Sequence, residues 1–370
     1  MNRLKEREAA RTERRDSLRT LKVELPDKSY DIKIADGLRK DFGKEIKEIY
    51  QGEKIFIISD ENVYGIYGEE LAENLRKEGI EPFFTVVKPG ERSKSVDTLV
   101  SVYNDLLDKE INRGHMIVAL GGGVVGDLTG FVAATLLRGI KFIQIPTSLL
   151  AQIDSSVGGK VAVNLERGKN LVGNFYHPEK VLIDPEMLQT LDRRYLNDGT
   201  AEVIKYGCIR SRELFEILEN IKDEKDYMDN IGDIIYRCCD IKREVVEEDE
   251  KDTGIRMILN FGHTIGHAIE QFFNYEKYTH GEAVAMGMYS ITKRSEEKGE
   301  TEAGCAEKIK NLLHKFNLEY ELPKMDLAAV EKAVRVDKKT NKDSITVILI
   351  KTIGEAFTKK IKKEEISEYL

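Results

Sequence analysis

The chain has 370 residues, 41% of them hydrophobic and 34% charged, with a formal net charge of −8. That length allows a large buried core and two domains, and the negative balance, with no basic stripe carrying interleaved aromatics, argues against nucleic acid as a partner. No apolar run reaches the roughly 18 residues that a membrane helix needs, and the opening MNRLKEREAARTERRDSLRT has no apolar stretch of the kind a secretory signal carries, so no membrane partner is expected and the cytoplasm is the expected location.

Residues 1–19 are rich in Arg and Glu and read as a solvated leader, helical or disordered. Leu21–Leu25 and Tyr30–Ile34 flank the turn Pro26-Asp27-Lys28-Ser29 and predict a β-hairpin. Lys54–Ser59 (KIFIIS) predicts a strand, followed by a helical stretch to about Gly79. Phe83–Val87 is the next strand and Ser95–Asp108 the next helix. Met116–Leu120 (MIVAL) is a strand that runs into Gly121-Gly122-Gly123, and Lys141–Ile145 (KFIQI) is another. Strands alternating with helices imply a parallel sheet with helices on its faces. From Arg193 to Leu318 the periodicity is helical throughout, and only Ile345–Ile350 (ITVILI) again resembles a strand. The expected organisation is therefore a leader (1–19), an α/β domain with a parallel, Rossmann-like sheet (20–185), and a mostly helical domain (186–370), with a cleft between domains as a favoured place for a site. The four cysteines, Cys208, Cys238, Cys239 and Cys305, form no CxxC and read as reduced thiols.

Three stretches carry candidate chemistry. GGGVVGD, Gly121–Asp127, follows a strand and opens a helix. Glycines there let the backbone approach a phosphate, and the helix start offers N–H donors. The spacing is not that of the usual dinucleotide fingerprint, and a tight ligand-free turn is the plain alternative. Three of the six histidines, His263, His267 and His280, fall in one short stretch. His263 and His267 stand four apart on one face of a predicted helix, where neutral imidazoles suit a divalent metal. Thr264 occupies the place of the general base in a zinc-protease HExxH, which excludes that reading. The run Ile145–Phe175 carries Asp154, Lys160, Lys169 and Asn170 between glycines and reads as a loop suited to phosphate or polyol recognition. Glu202 and Lys205 lie one helical turn apart, and a solvated ion pair is the bland reading of them.

The ordered set GGGVVGDLTGFVAAT, IPTSLLAQIDSSVGGKVAVN, GKNLVGNFYHP, AEVIKYG, RMILNFGHTIGHAIE and HGEAVAMGM closely resembles the 3-dehydroquinate synthases, over a span from about Leu21 to the C-terminus. The resemblance implies a zinc or cobalt ion held by Glu202, His263 and His280, with His267 in a phosphate pocket rather than on the metal. It implies NAD on Gly122, Gly123, Val124, Val125 and Asp127, with further contacts from Asp60, Asn62, Glu91, Lys94, Thr147, Ser148, Lys160, Lys169 and Thr190. It implies that Lys242 and Arg256 meet a substrate carboxylate, a fork suited to bidentate binding. Lys160, Asn170, Asn260, His267 and a lysine of DKK, Lys338 or Lys339, would meet the phosphate. Asp154 and Lys205 would hold hydroxyls, Lys169 would stand in the same site, and Arg138 would reach into the other subunit of a homodimer.

The activity so implied converts the small-molecule sugar acid phosphate 3-deoxy-D-arabino-heptulosonate 7-phosphate to 3-dehydroquinate. It proceeds by transient oxidation with NAD, phosphate elimination, re-reduction and intramolecular aldol closure, a step of the shikimate pathway. Rival readings are a cyclase acting on a sugar phosphate without the carboxylate, a metal-dependent alcohol or glycerol dehydrogenase, and an inactive binding protein. The segment LDRRYLNDGTAE departs from the acidic, small-residue approach to the metal glutamate that the resemblance leads one to expect.

Overall fold

The turn after Leu25 closes as the sequence implies, with the Leu25 amide donating to the Lys28 carbonyl at 2.9 Å. It joins β1 (Arg19–Glu24) to β2 (Ser29–Ile34) in antiparallel register, with Val23 opposite Tyr30 and Leu21 opposite Ile32, all four buried. The structure is a computed structural model that describes residues 18–324 and 344–369. Apart from Leu18 and Arg19, the leader lies outside the described residues, as do Lys338 and Lys339.

Five further strands extend the hairpin into a seven-stranded sheet: β3 (Lys54–Asp60), β4 (Glu81–Val87), β5 (Met116–Gly121), β6 (Lys141–Pro146) and β9 (Lys180–Ile183), in the order β1-β2-β9-β6-β5-β3-β4. Every pairing beyond β1–β2 is parallel. β5 and all of β3 after Lys54 are buried, as strands covered on both faces are, which is why Ile55–Ile58 and Met116–Leu120 read as apolar runs. Successive side chains feed opposite cores. Ile55, Ile57 and Val118 pack with α1 (Phe42–Lys47) and α2 (Glu69–Lys77), whereas Phe56, Ile58 and Ile117 pack with α3 (Val96–Asp108) and α4 (Gly123–Thr135).

Two elements of this region differ from the sequence reading. The polar run read as a loop is largely a hairpin, β7 (Lys160–Leu165) with β8 (Gly168–Phe175). Val161 and Val163 go into the core below α4 while the polar residues between glycines take the open side. The sheet also holds β9, four buried residues too short to announce themselves by periodicity.

The helical stretch contains α5 (Arg193–Ile209), α6 (Arg212–Asn220), α7 (Glu224–Glu248), α8 (His263–Phe272), α9 (His280–Glu297) and α10 (Cys305–Lys315). The strand foreseen at Ile345–Ile350 is β10 (Ser344–Thr352), and it pairs with β11 (Glu355–Lys362), whose polar face hid it. The chain divides into two compact units, Met1–Leu191 with Ile231–Arg243, and Asp192–Asn230 with Glu244–Leu370. Sequence periodicity puts one boundary after residue 185. The middle of α7, Ile231–Arg243, also belongs with the first unit, which the sequence does not mark, since an unbroken helical pattern does not say which neighbours it buries. None of the four cysteines forms a disulfide and all are buried, and no helix among the described residues is long and apolar enough to cross a membrane.

Candidate functional site

The first unit gathers most of the expected cofactor residues at the carboxyl ends of its parallel strands. β3 lies between β4 and β5, so the chain moves outward on one side of β3 and then returns to the other. Ligands of open α/β sheets bind in the crevice outside the strand ends at such a switch point. Asp60 ends β3, and its Oδ1 accepts from the Asn62 and Val63 amides at 3.0 and 3.2 Å. Gly121 ends β5, Gly122 is the N-cap of α4 with no side chain to satisfy the first-turn amides, and Gly123 begins the helix. A Cβ on Gly122 would stand 3.3 Å from Ser148 Oγ, and one on Gly123 would stand 3.0 Å from Ser155 Oγ. A side chain at either position would press on a serine hydroxyl, and the two glycines leave the amides of the turn uncovered. Val124 is half-buried, but the Val125 side chain belongs to the core, so only its backbone is left for a ligand. Thr147 is buried after β6 and donates its amide to the Gly121 carbonyl at 3.0 Å, with Ser148 next to it.

A polar chain ties this crevice to the hairpin. Lys94, buried, pairs with Asp127 on α4 and donates to Asn170 Oδ1 at 2.5 Å. Asn164 links Glu91 Oε1 (2.7 Å) to the Asn170 amide (2.9 Å). Asn170 adopts the left-handed conformation, φ 55°, that Asn tolerates better than most residues. Burial raises the Asp127 carboxyl above its ordinary range, and the Lys94 charge opposes that shift. Lys169 is half-buried on β8, and Lys160 is exposed at the start of β7. Thr190 Oγ1 meets the Tyr67 hydroxyl at 2.7 Å, and Asn62 is exposed. Lys242, in the part of α7 that belongs to this unit, pairs with the Asp154 carboxylate and donates to its carbonyl at 2.5 Å. Arg138 is exposed on a turn in which Leu137 and Arg138 both have positive φ, 51° and 68°. A second such pair, Asn274 and Tyr275, has φ 52° and 60°.

The second unit holds the histidines. α8 and α9 pack at backbone distance, since a Cβ on Gly287 would stand 2.1 Å from the Gly262 carbonyl. Gly262, at φ 78°, starts α8. This places the His263 and His280 ring centroids 5.0 Å apart. Glu202, on the fully buried end of α5, points Oε1 at His263 Nε2 (3.6 Å) and His280 Nε2 (3.7 Å). The ligand atoms of Glu202, His263 and His280 all lie within 4.8 Å of one another, and so do those of His267, Glu270 and His280. Spacing alone would pair His263 with His267; the geometry puts these two in different groups that share His280. His267 is exposed.

The donor set fits a divalent metal. Atoms bound at about 2.0–2.1 Å to a tetrahedral ion stand roughly 3.3 Å apart, close to the Glu202–imidazole separations. Each imidazole is also fixed through its other nitrogen: His263 Nδ1 against the Phe261 carbonyl (3.0 Å) and His280 Nδ1 against Glu270 Oε2 (3.2 Å). Such contacts set the tautomer and present Nε2 as the ligand. Burial, with the Lys205 charge next, holds His263 well below the usual imidazole range, hence neutral as a ligand must be. Burial also pulls His280 down, but Glu270, Glu202 and Asp198 outweigh it and push it up to about 9, a surplus of negative charge that a cation would neutralise. Lys205 pairs with the other oxygen of Glu202, and both side chains are buried, which excludes the solvated surface pair.

Arg256 is fully buried, donates from Nη1 to the Glu250 carbonyl at 2.5 Å, and is anchored by its own amide on Asp249 Oδ2 at 3.1 Å. Asn260 Nδ2 donates to the Met257 carbonyl at 3.1 Å. Two residues with no role assigned from the sequence bear on the cluster. Glu270 holds His280, and its only sequence signal is its place three residues after His267. The departing segment LDRRYLNDGTAE is the start of α5, capped by Asp192, and it delivers Asp198 to the same region.

Family models described as 3-dehydroquinate synthase N-terminal and 3-dehydroquinate synthase C-terminal match residues 84–198 and 199–340. A 3-dehydroquinate synthase of Clostridium acetobutylicum is 54% identical over 95% of this chain and 99% of its own length. One of Clostridium perfringens is 58% identical over 92% and 97%. Among solved structures, a 2-deoxy-scyllo-inosose synthase complexed with carbaglucose-6-phosphate, NAD+ and Co2+ is 27% identical, with TM-score 0.84 over 95% of this chain and 98% of that one. An iron-containing alcohol dehydrogenase, 14% identical with TM-score 0.65 over 96% and 98%, shares the fold alone. With both family models matched in sequence order and relatives more than half identical along nearly their whole length, the chain belongs to the 3-dehydroquinate synthase family.

Proposed function

We infer that this chain catalyses the 3-dehydroquinate synthase reaction, releasing phosphate from 3-deoxy-D-arabino-heptulosonate 7-phosphate and closing the carbocycle of 3-dehydroquinate. Formally it is a carbon–oxygen lyase. The observation that carries this reading is the Glu202, His263 and His280 cluster, in a chain more than half identical to 3-dehydroquinate synthases. NAD and a divalent metal, zinc or cobalt, are the cofactors; when bound they supply reversible oxidation at a secondary alcohol and Lewis-acid polarisation of its oxygen.

The chain's own residues bind, orient and neutralise. Glu202, His263 and His280 hold the metal, with His263 kept neutral by burial. The Gly122–Asp127 turn takes the NAD pyrophosphate on bare amides, with Asp60, Asn62, Glu91, Lys94, Thr147, Ser148 and Thr190 around it. Lys160, Asn170, Asn260, His267 and Lys338 or Lys339 take the phosphate, while Lys169 supports the hairpin side of the site. Arg256 and Lys242 read the carboxylate, and Asp154 and Lys205 hold hydroxyls. The identity to 3-dehydroquinate synthases, at more than half of the aligned residues, favours the acid substrate over a cyclase reaction on a neutral sugar phosphate. Arg138 completes the site of a partner in a homodimer; its exposure supports that placement. We place the enzyme in the cytoplasm.

The test is phosphate release with substrate in large excess over NAD. Product should far exceed NAD, with little NADH accumulating; one NADH per product would make the chain a dehydrogenase instead. For the dimer, Arg138→Ala and Lys160→Ala chains, each nearly inactive alone, should recover about a quarter of wild-type activity when mixed equally, since about half the dimers then carry one intact site. No recovery after confirmed subunit exchange would place Arg138 outside the partner's site.

A further inference from the structure

We propose that Asp198 is a positioning residue that clasps the first turn of α9 and so sets where His280 stands relative to Glu202; this rests on the metal reading above. Asp198 lies one helical turn before Glu202 on α5, so the two share a face. It is buried, and its Oδ1 accepts the Gly281 amide at 2.5 Å. Gly281 directly follows His280, the first residue of α9. The first amides of a helix lack partners within it. Here one of them is met by a carboxylate from another helix.

The clasp is also steric. A Cβ on Gly281 would stand 2.1 Å from the Asp198 carbonyl oxygen, so α9 begins in direct contact with the α5 backbone. One turn earlier still, Arg194 donates from Nε and Nη2 to the two oxygens of Glu282, each at 2.8 Å, and from Nη2 to the Lys277 carbonyl at 2.9 Å. Glu282 in turn accepts the Thr279 amide at 2.9 Å. Three residues spaced four apart on α5 thus engage the start of α9 in order: Arg194 with Glu282, Asp198 with Gly281, and Glu202 with His280. The outer rung is exposed and screened by solvent. The middle rung is buried and charge-assisted, so it fixes the spacing at the inner rung. Glu270 sets the rotation of the His280 ring, and Asp198 sets the position of its backbone.

The test measures zinc affinity by competition with a chelator and records the visible spectrum of the cobalt-loaded protein. Asp198→Ala should raise the zinc dissociation constant about ten- to a hundredfold, the range seen when groups that orient metal ligands are removed, and should change the cobalt spectrum. Asp198→Asn retains an acceptor oxygen, as Asn does at helix caps, and should restore both to near wild type. NAD affinity and far-ultraviolet circular dichroism should be the same in all three proteins, the first checking the unit that holds the glycine turn and the second the helices of the unit that holds Asp198. If Asp198→Ala does not fold, Gly281→Ala, which forces the two backbones apart, should give the same loss. Unchanged affinity and spectrum in Asp198→Ala would overturn the proposal, as would an Asn variant as impaired as the Ala variant. A wild-type protein that takes up no metal would instead sink the metal reading itself.

Discussion

The two units build their candidate sites from opposite materials. In the first, the crevice at the strand ends is mostly backbone: the Gly122–Gly123 turn, the capped start of the helix after β3 and the Thr147 turn. In the second, the cluster is all side chain, set on buried helices, with each ligand braced by a further residue. A backbone site tolerates change so long as nothing fills the space over the amides. A side-chain site has no such latitude, because removing one group strands the charge of another.

The largest effect should come from the side-chain site. His263→Ala removes a ligand and should cost the several kcal/mol that a Lewis acid supplies, on the order of a thousandfold in phosphate release. Titration calorimetry should show NAD binding intact; loss of NAD binding in this variant would mean that the two sites are not separable.

Lys205→Ala sharpens the contrast, because it leaves Glu202 buried without its cation. Breaking a buried pair costs about 3–5 kcal/mol, which should lower the thermal midpoint of metal-free protein by on the order of 10 °C. Added zinc should recover much of that drop. A midpoint insensitive to zinc would show that Glu202 is not a ligand.

The smallest effect belongs to the backbone site. A methyl at Gly123 crowds Ser155 Oγ at 3.0 Å, so Gly123→Ala should weaken NAD by about tenfold, near 1.4 kcal/mol, and leave metal affinity alone. Equal losses of both ligands would argue for a general folding defect.

Legibility in the sequence followed the same divide. β3 and β5 could be read because parallel strands covered on both faces are apolar throughout, and the glycine turn because it follows directly on β5. The β7–β8 hairpin could not, since its open face is polar and its glycines suggest a loop. His263 and His280 stood out by clustering, but spacing alone favoured His263 with His267, and only the packing of α8 on α9 separates them. Glu202 with Lys205 could equally have been a surface pair; burial is a tertiary fact that a three-residue spacing does not contain. Asp198 and Glu270 act through backbone and ring contacts on other elements, so nothing local to them marks their roles.

The most direct test of the metal site is phosphate release by chelator-treated wild-type protein as cobalt is added back, with the visible spectrum followed in parallel. Activity should be lost on chelation and return in proportion to one cobalt per chain, together with bands of a four- or five-coordinate nitrogen and oxygen site. Full activity in protein shown to be free of metal would contradict the assignment of Glu202, His263 and His280.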